Sequence, residues 1–357
     1  MGKKMMIAIA LLIGSVTVSA QSPKVQKVGD IRKAYAEAKK KIADNGKNGQ
    51  APLDVTITLR DGTEVDEDFI INEERVITFY FTKYRANKEL DYADGSNCYF
   101  ITENWSANGH SHYREMLFDP NVGHLLFSFM HTETHAGYEV ESRYYFAADG
   151  SLIDQKHKEG KKDVEPDGQT WSTAETEQSF ANDLLYVFDQ LMKPKHDLPA
   201  GKGVKSATTK ADRIDLIKKA YTRAKEDIAK NDKSETPHDI QIVVRDQSWG
   251  PPEITDVKMY YEQPDGTTPF RCYFISEHCH NNNMGKDNYS EFLVADNSLM
   301  FSYCCAREEG EKHEWRYYYD ENGRCIEVKT DADDNDKGLA DKMTAERYLN
   351  IFKKLTE

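Results

Sequence analysis

The chain has 357 residues, a formal net charge of −14 and six cysteines, and 30% of its residues are charged. An acidic chain without a basic stripe repels phosphate backbones and anionic lipid surfaces, so nucleic acid and membrane surfaces are not expected partners. Solubility alone explains the acidity, which therefore does not point to a partner.

The N-terminus has the features of an export signal. Lys3 and Lys4 supply a positive start, an apolar run follows, and small residues precede Gln21, the expected mature start. The apolar run is shorter than the about 20 residues that a membrane span requires, which argues against the alternative of an uncleaved anchor. We therefore predict a signal peptide over residues 1–20, no membrane span after its cleavage, and a periplasmic or secreted protein.

Three blocks of sequence occur twice in the same order along the chain. They are IRKAYAEAK and IKKAYTRAK (31–39 and 217–225), CYFITE and CYFISE (98–103 and 272–277), and ESRYYF and EWRYYY (141–146 and 314–319). This order predicts a tandem duplication, and the unit is long enough for each copy to form a domain with its own core. We predict repeat domains over residues 27–193 and 211–357, joined by a linker over 194–210.

Each copy begins with an amphipathic helix and closes with another. The apolar residues of the first helix fall at i, i+3, i+4, i+7 and i+11, on one face: Ile31, Ala34, Tyr35, Ala38 and Ile42. Short β-rich segments lie between the helices, and their short connections favour antiparallel pairing.

The last two strands of each copy are predicted to form a hairpin. Asp149-Gly150 and Asn322-Gly323 supply the positive φ values that tight turns need. We therefore predict an α+β fold of two tandem homologous domains. Each is expected to be an antiparallel β-sheet flanked by an N-terminal and a C-terminal helix, with both helices on one face of the sheet.

The cysteines suggest disulfides in the second copy. Four of them have no cysteine counterpart in the first copy: Cys279, Cys304, Cys305 and Cys325. In an oxidising compartment, an even set within one domain predicts one or two disulfides, and three complete pairings remain open. Cys98 and Cys272 occupy matching positions in strand-like runs. We interpret them as buried apolar residues, with a cross-domain pair as the alternative.

Histidines give a weak indication of metal chemistry. The HTETH stretch at residues 131–135 has the outer spacing of a zinc-protease motif but lacks the Glu beside its first His. His110 and His112, like His278 and His280, are two residues apart, and a soft metal could use such ligands. We favour the simpler interpretation of a disulfide with polar loop histidines, and we expect no metal and no cofactor.

Paired acids provide the enzyme alternative. Glu103 and Glu115 recur as Glu277 and Glu291, and two acids that flank a glycosidic bond can hydrolyse it. The alternative function is therefore a glycosidase-like hydrolase that acts through Glu103 and Glu115. Arg143 on a nearby strand offers an ion pair that would lower a carboxylate pKa, which is the opposite of what a general acid needs. We therefore favour a polar network of the fold.

Aromatic residues are the last indication, with 20 tyrosines and four tryptophans. Consecutive side chains of a strand face opposite sides, so the tyrosine runs predict some rings on an open sheet face. Rigid amphipathic rings are suited to protein or glycan contact. Trp105, Tyr145 and Tyr318 are the predicted contact residues.

The signal peptide, the IRKAY helix opening and the E-x-R-Y-Y hairpin together resemble exported tandem-domain proteins of Gram-negative anaerobes, a family with no known activity. The resemblance therefore supplies no catalytic residue. We predict an exported, non-catalytic binding protein. It is expected to hold a protein or a glycan on its aromatic sheet faces or in the cleft between its domains.

Overall fold

The structure is a computed structural model, and it describes residues 23–47, 52–66, 69–84, 95–107, 110–119, 123–133, 137–165, 173–192, 209–246, 253–262, 270–281, 286–308, 311–330 and 338–356. The predicted signal peptide (1–20) and all but the last two residues of the predicted linker (194–210) lie outside these ranges. Within them, no helix combines the length and the apolar character needed to cross a membrane.

The described residues form four helices and fifteen strands. The helices are α1 (Pro23–Asp44), α2 (Ala174–Met192), α3 (Lys210–Asn231) and α4 (Leu339–Thr356). The strands of the first half are β1 (Asp54–Asp66), β2 (Phe69–Tyr84), β3 (Gly95–Ala107), β4 (His110–Phe118), β5 (Leu125–Glu133), β6 (Glu139–Phe146), β7 (Leu152–Glu159) and β8 (Lys162–Val164). Those of the second half are β9 (His238–Asp246), β10 (Glu253–Glu262), β11 (Arg271–Asn281), β12 (Lys286–Ala295), β13 (Ser298–Glu308), β14 (Glu311–Tyr319) and β15 (Cys325–Thr330). The first half also contains α1 and α2, and the second half contains α3 and α4.

All fifteen strands belong to one antiparallel sheet, so the prediction of two tandem α+β domains is wrong. The strand order is β15-β14-β13-β12-β11-β10-β9-β1-β2-β3-β4-β5-β6-β7-β8. The halves meet where residues 54–61 of β1 pair with residues 238–245 of β9. β1 and β9 each pair on one side with the next strand of their own half, which leaves the backbone groups of the other side unpaired. These two free edges hydrogen-bond to each other.

Ion pairs reinforce this junction in a nearly symmetrical way. Arg60 Nε donates to Asp239 Oδ1 at 2.8 Å, and Arg245 Nη1 donates to Asp54 Oδ1 at 2.8 Å. The same residue types bond in both directions, as they do at a two-fold interface. The cleft predicted between two domains is therefore replaced by a continuous sheet.

Helices cover both faces of the sheet, whereas the sequence predicted that they cover one. α1 and α3 lie on one face, where Tyr35 of α1 packs edge-on against Phe127 with ring centroids 5.2 Å apart. α2 and α4 lie on the other face, where Phe188 of α2 packs against Phe81 at 5.7 Å. Strands that are apolar at consecutive positions can thus be buried on both sides.

The core on the α2/α4 face runs through both halves. Buried residues of β1, β2, β9 and β10 belong to the same cluster as those of α2 and α4. The two helices also meet directly, since Lys354 Nζ lies 2.9 Å from Asp183 Oδ1. A shared core and a shared sheet make the described part of the chain one structural unit.

The two predicted hairpin turns are confirmed. β6 and β7 are joined through Gly150 with φ of 82°, and β14 and β15 through Gly323 with φ of 67°. A residue with a Cβ rarely adopts these angles, which explains the glycine at each turn.

Candidate functional site

A buried carboxylate holds α1 on the sheet. Glu115 of β4 is only 3% exposed, and it accepts hydrogen bonds from the hydroxyls of Tyr35 and Tyr113 and from Lys39 Nζ at 2.6 Å. Tyr35 and Lys39 belong to α1, so charge-assisted bonds join that helix to the strand. We term these four residues the Glu115 cluster. Burial, and then the hydrogen bond to Glu115, raises the pKa of both tyrosines above the ordinary value.

A pocket of about 320 Å³ opens beside the Glu115 cluster, between α1 and strands β5 and β6. We term it the first-half pocket, and it is lined by Ile31, Arg32, Tyr35, Phe127, Phe129, Arg143 and Tyr145. The guanidinium of Arg143 lies 5.4 Å from the Phe129 ring centroid, and that of Arg32 lies 5.6 Å from the Tyr145 centroid. The pocket therefore has an aromatic floor and two cationic groups in its wall, and its volume is at the small end of ligand sites.

The second half contains the same carboxylate cluster but differs in the residues beside it. Tyr221, Lys225 and Tyr289 donate to Glu291 as their counterparts do to Glu115, and these four residues form the Glu291 cluster. Where the first-half pocket has Phe129, the second half has Tyr303. The Tyr303 hydroxyl donates to Glu314 at 3.0 Å. The second half therefore has a hydroxyl group at the position where the first half has the unsubstituted ring of Phe129.

The acids of the hydrolase alternative are not brought together. In the β3–β4 pairing, Glu103 stands opposite Arg114 and Glu115 stands opposite Thr102. Since successive residues of a strand face opposite sides, the two carboxylates lie on opposite faces of the sheet. Glu103 is instead bonded to Arg75 Nε at 2.5 Å and to Arg114 Nη1 at 2.7 Å. Two carboxyl groups in this arrangement cannot flank one glycosidic bond.

The arginine predicted to neutralise those acids has another partner. Arg143 Nη2 donates to Glu141 at 2.6 Å, while the ion-pair partner of Glu115 is Lys39. Arg316 donates to Glu314 at the same distance in the second half. Each arginine is thus held beside its own strand neighbour.

The three predicted aromatic contact residues lie in different settings. Tyr145 is 3% exposed and Tyr318 is 5% exposed, because α1 and α3 cover them, so neither lies on an open sheet face. Tyr145 nevertheless lines the first-half pocket. Trp105 projects to the α2/α4 face, where its ring stacks on His112 at 4.6 Å and Arg114 lies 5.0 Å from its centroid. Trp105 and Tyr145 therefore cannot contact one ligand from the same side.

The disulfides predicted among the second-half cysteines are not formed, and all six cysteines are free thiols: Cys98, Cys272, Cys279, Cys304, Cys305 and Cys325. Cys98 and Cys272 are buried, as predicted, and burial raises the pKa of Cys272 to about 12. The Cys304 thiol donates to Asp341 at 3.0 Å. Burial, and then this carboxylate, raises its pKa well above the ordinary value.

One group of metal-ligand types comes together that the sequence did not predict. His278 and His280 of β11 approach Asp256 of β10, and one ligand atom from each lies within 4.8 Å of the others. Asp256 precedes the histidines on another strand, so only the register of β10 against β11 could have revealed it. Residues 134 and 135, which complete the HTETH stretch, lie outside the described residues.

Comparison with known proteins yields no relative: no protein-family profile, curated protein or solved structure matches the chain. The function has to be inferred from the chemistry of these sites.

Proposed function

We propose that the protein is an exported, non-catalytic binding protein that holds a segment of a partner protein in the first-half pocket. The observation that carries the proposal is the composition of that pocket, an aromatic floor with Arg32 and Arg143 in its wall. Aromatic and arginine side chains are the types that dominate the energetic centres of protein interfaces. Export rests on the signal-like sequence of residues 1–20.

The charge of the pocket favours an acidic segment. The chain as a whole carries −14, so it repels acidic partners except where cations are concentrated. Arg32 and Arg143 bring two guanidinium groups to the pocket against the one carboxylate, Glu141, that pairs with Arg143, and complementary charge mainly gives specificity and faster association. A bulky apolar side chain would enter the pocket, and carboxylates on either side of it would meet the two guanidinium groups.

The ring geometry favours a protein over a glycan. Sugars bind by stacking on open ring faces, but Arg143 lies over Phe129 and Arg32 lies over Tyr145. The rings therefore offer mainly their edges and the spaces between them, which suits an inserted side chain.

The Glu115 cluster supports binding over catalysis. Its carboxylate already accepts three hydrogen bonds from the protein, which leaves little capacity for a substrate proton. The hydroxyls of Tyr35 and Tyr113 are protonated at neutral pH, as those of ordinary tyrosines are, and burial raises the pKa of both further. Groups in these states are suited to fixing α1 and not to proton transfer.

A site-specific cross-link tests the proposal. Phe129 is replaced by p-benzoylphenylalanine in the chain of residues 21–357, which is then illuminated with a cell-surface protein extract. We expect cross-linked peptides that carry a bulky apolar residue flanked by acids, and we expect Arg143→Glu to lower the yield at least about tenfold.

The second half provides the matched control. The same photo-reactive residue at Tyr303, and the Arg316→Glu substitution, disturb an equivalent ring and an equivalent arginine–glutamate pair. Equal yields from positions 129 and 303, or equal losses from Arg143→Glu and Arg316→Glu, would rule out selective capture by the first-half pocket.

A further inference from the structure

A cluster of two histidines and an aspartate lies in the second half, on the α1/α3 face of the sheet. His278 and His280 are two residues apart on β11, so their side chains face the same side. Asp256 stands directly opposite His278 on β10 and shares that face. The imidazole ring centroids are 5.0 Å apart, so backbone pairing alone gathers two nitrogen ligands and a carboxylate.

One histidine nitrogen of the cluster is buried without a hydrogen-bond partner. His280 Nδ1 is buried and makes no hydrogen bond, and Asp256 Oδ2 lies 3.8 Å from it. That distance is too long for a hydrogen bond. It is close to the roughly 3.3 Å that separates two ligand atoms on a tetrahedral ion with bonds of about 2.0–2.1 Å. A shift of a few tenths of an ångström would let both atoms contact one ion.

A second carboxylate orients one of the histidines. Asp287 Oδ1 lies 2.5 Å from His278 Nε2, which leaves Nδ1 as the nitrogen available to a metal. A carboxylate bonded to the outer nitrogen of an imidazole is the usual support for a metal-binding histidine.

The first half shows that the fold does not require these residues. The strand registers place Val76, Asn104, Ser106 and Ser111 where the second half has Asp256, His278, His280 and Asp287. The neighbouring Glu115 and Glu291 clusters are nonetheless alike. The second half therefore carries ligand-type side chains at four positions where the same strands form without them.

We propose that Asp256, His278 and His280 bind one divalent transition metal ion of the Zn²⁺ type, with Asp287 positioning His278. Two imidazole nitrogens and one carboxylate oxygen are a ligand set that suits zinc and leaves a fourth position for water or a ligand. Cys279 is not a ligand, because it projects to the opposite face, where its Sγ lies 3.2 Å from Glu253 Oε1. The site is independent of the first-half pocket.

Metal titration of the untagged chain of residues 21–357 tests the proposal. After removal of metal with a chelator, the protein is titrated with ZnCl₂ by calorimetry, and with CoCl₂ by visible absorption. We expect one Zn²⁺ per chain and Co²⁺ bands typical of a site with nitrogen and oxygen ligands. His280→Ala and Asp256→Asn should each weaken binding more than tenfold, and Asp287→Asn should weaken it about tenfold.

The control is the other histidine pair with the same spacing. His110 and His112 lie in the first half, and His112 Nδ1 is paired with the Thr132 hydroxyl at 2.9 Å. The His110→Ala/His112→Ala variant should bind Zn²⁺ as the wild type does. Asp256→Asn keeps the size of the side chain, so its metal-free melting curve should match that of the wild type. Wild-type protein that binds no Zn²⁺, or a folded Asp256→Asn protein that binds as tightly as the wild type, would overturn the site.

Discussion

The two faces of the sheet differ in how closely one half reproduces the other. On the α1/α3 face, the Glu115 and Glu291 clusters use the same four residue types with nearly the same distances. On the α2/α4 face, a serine donates to an acid of the C-terminal helix in both halves, but the neighbouring donors differ in residue type and in charge. The N-terminal helix of each half is therefore held by one common set of contacts, and the C-terminal helix shares only part of its contacts.

The first half uses an ionic network under its C-terminal helix. Arg114 lies 2.7 Å from Glu103 and 3.3 Å from Glu177 of α2, and both acids are almost fully buried. Ser128 also donates to Glu177, at 2.5 Å. The Arg114 guanidinium thus bridges two carboxylates that have left water, and Glu103 is paired with Arg75 as well.

The second half uses neutral donors at the same place. Ser290 stands where the first half has Arg114, and it donates to Cys304 Sγ at 3.4 Å. Cys304 and Ser302 both donate to Asp341 of α4, at 3.0 Å and 2.6 Å. The comparison teaches that one acid of the C-terminal helix, Glu177 or Asp341, can be held on this sheet either by a buried cation or by neutral donors alone. The two solutions should respond differently to mutation.

The largest expected effect is that of Arg114→Met. The substitution leaves Glu103 and Glu177 buried without this cation, and breaking such a network costs about 3–5 kcal/mol of unfolding free energy. Urea denaturation of the full chain measures the loss. Ser290→Ala, the matched change in the second half, should cost about 1 kcal/mol or less because it removes a neutral hydrogen bond. Similar losses of unfolding free energy for the two variants would show that the two halves do not differ on the α2/α4 face as described.

A smaller effect is expected on the α1/α3 face, where the two halves share the same cluster. Glu115→Gln and Glu291→Gln each replace a carboxylate that accepts from two tyrosines and a lysine. Charged hydrogen bonds of this kind contribute about 2 kcal/mol in net terms. Because the two clusters are alike, the two variants should lose the same unfolding free energy to within about 0.5 kcal/mol. A clear inequality in urea midpoints would mean that α1 and α3 are held differently.

Much of the local structure could be predicted from sequence. The helical spacing in α1 identified Ile31 and Ala38, which are buried against the sheet, because that face has to be apolar whatever it packs on. The hairpin turns were predicted because Gly150 and Gly323 require positive φ. Such patterns can be interpreted from sequence because the physical reason for each lies in the local residues themselves.

The joining of the halves could not be predicted in the same way. β1 and β9 pair through backbone groups, which every residue carries, so no side-chain pattern marks one free strand edge as the partner of another. A signal for two covered faces did exist. Tyr144 and Tyr145 are consecutive and both buried, which a single layer of helices cannot achieve. We interpreted that run as partial exposure, whereas the second helix of each half covers the other face.

The candidate sites were only partly predictable for the same reason. The histidine pair at 278 and 280 is visible in the sequence, but Asp256 joins it through strand register. Glu103 and Glu115 looked like a pair because both lie on neighbouring strands, and the register separates them by placing them on opposite faces.

Alkaline pH should gradually weaken the contacts of the Glu115 and Glu291 clusters. The pKa of Tyr35 and that of Tyr221 are raised by burial and then by the hydrogen bond to the glutamate. The unfolded chain loses these tyrosine protons near the ordinary pKa of about 10, whereas the folded protein keeps them to higher pH. The stability that the two tyrosines contribute is therefore fully present below about pH 10 and falls as the pH rises further. Each tyrosine contributes at most about 1.4 kcal/mol per pH unit. Tyr35→Phe and Tyr221→Phe should flatten the decline in urea midpoint between pH 9 and pH 11 equally, and a decline unchanged by either would contradict the raised pKa.

The smallest expected effect is chemical and concerns the neutral contacts of the α2/α4 face. The raised pKa of Cys304 disfavours the thiolate, the form that reacts with iodoacetamide, and each pKa unit slows alkylation up to about tenfold at a given pH. Cys305 projects to the other face, opposite Tyr289, without that contact to Asp341. Mass spectrometry of the native protein at pH 8 should therefore find Cys305 alkylated well before Cys304, with equal rates after unfolding in urea. Cys304→Ser keeps a donor for Asp341 and should leave the urea midpoint almost unchanged. If Cys304 reacted as fast as Cys305, its thiol would not be donating to Asp341.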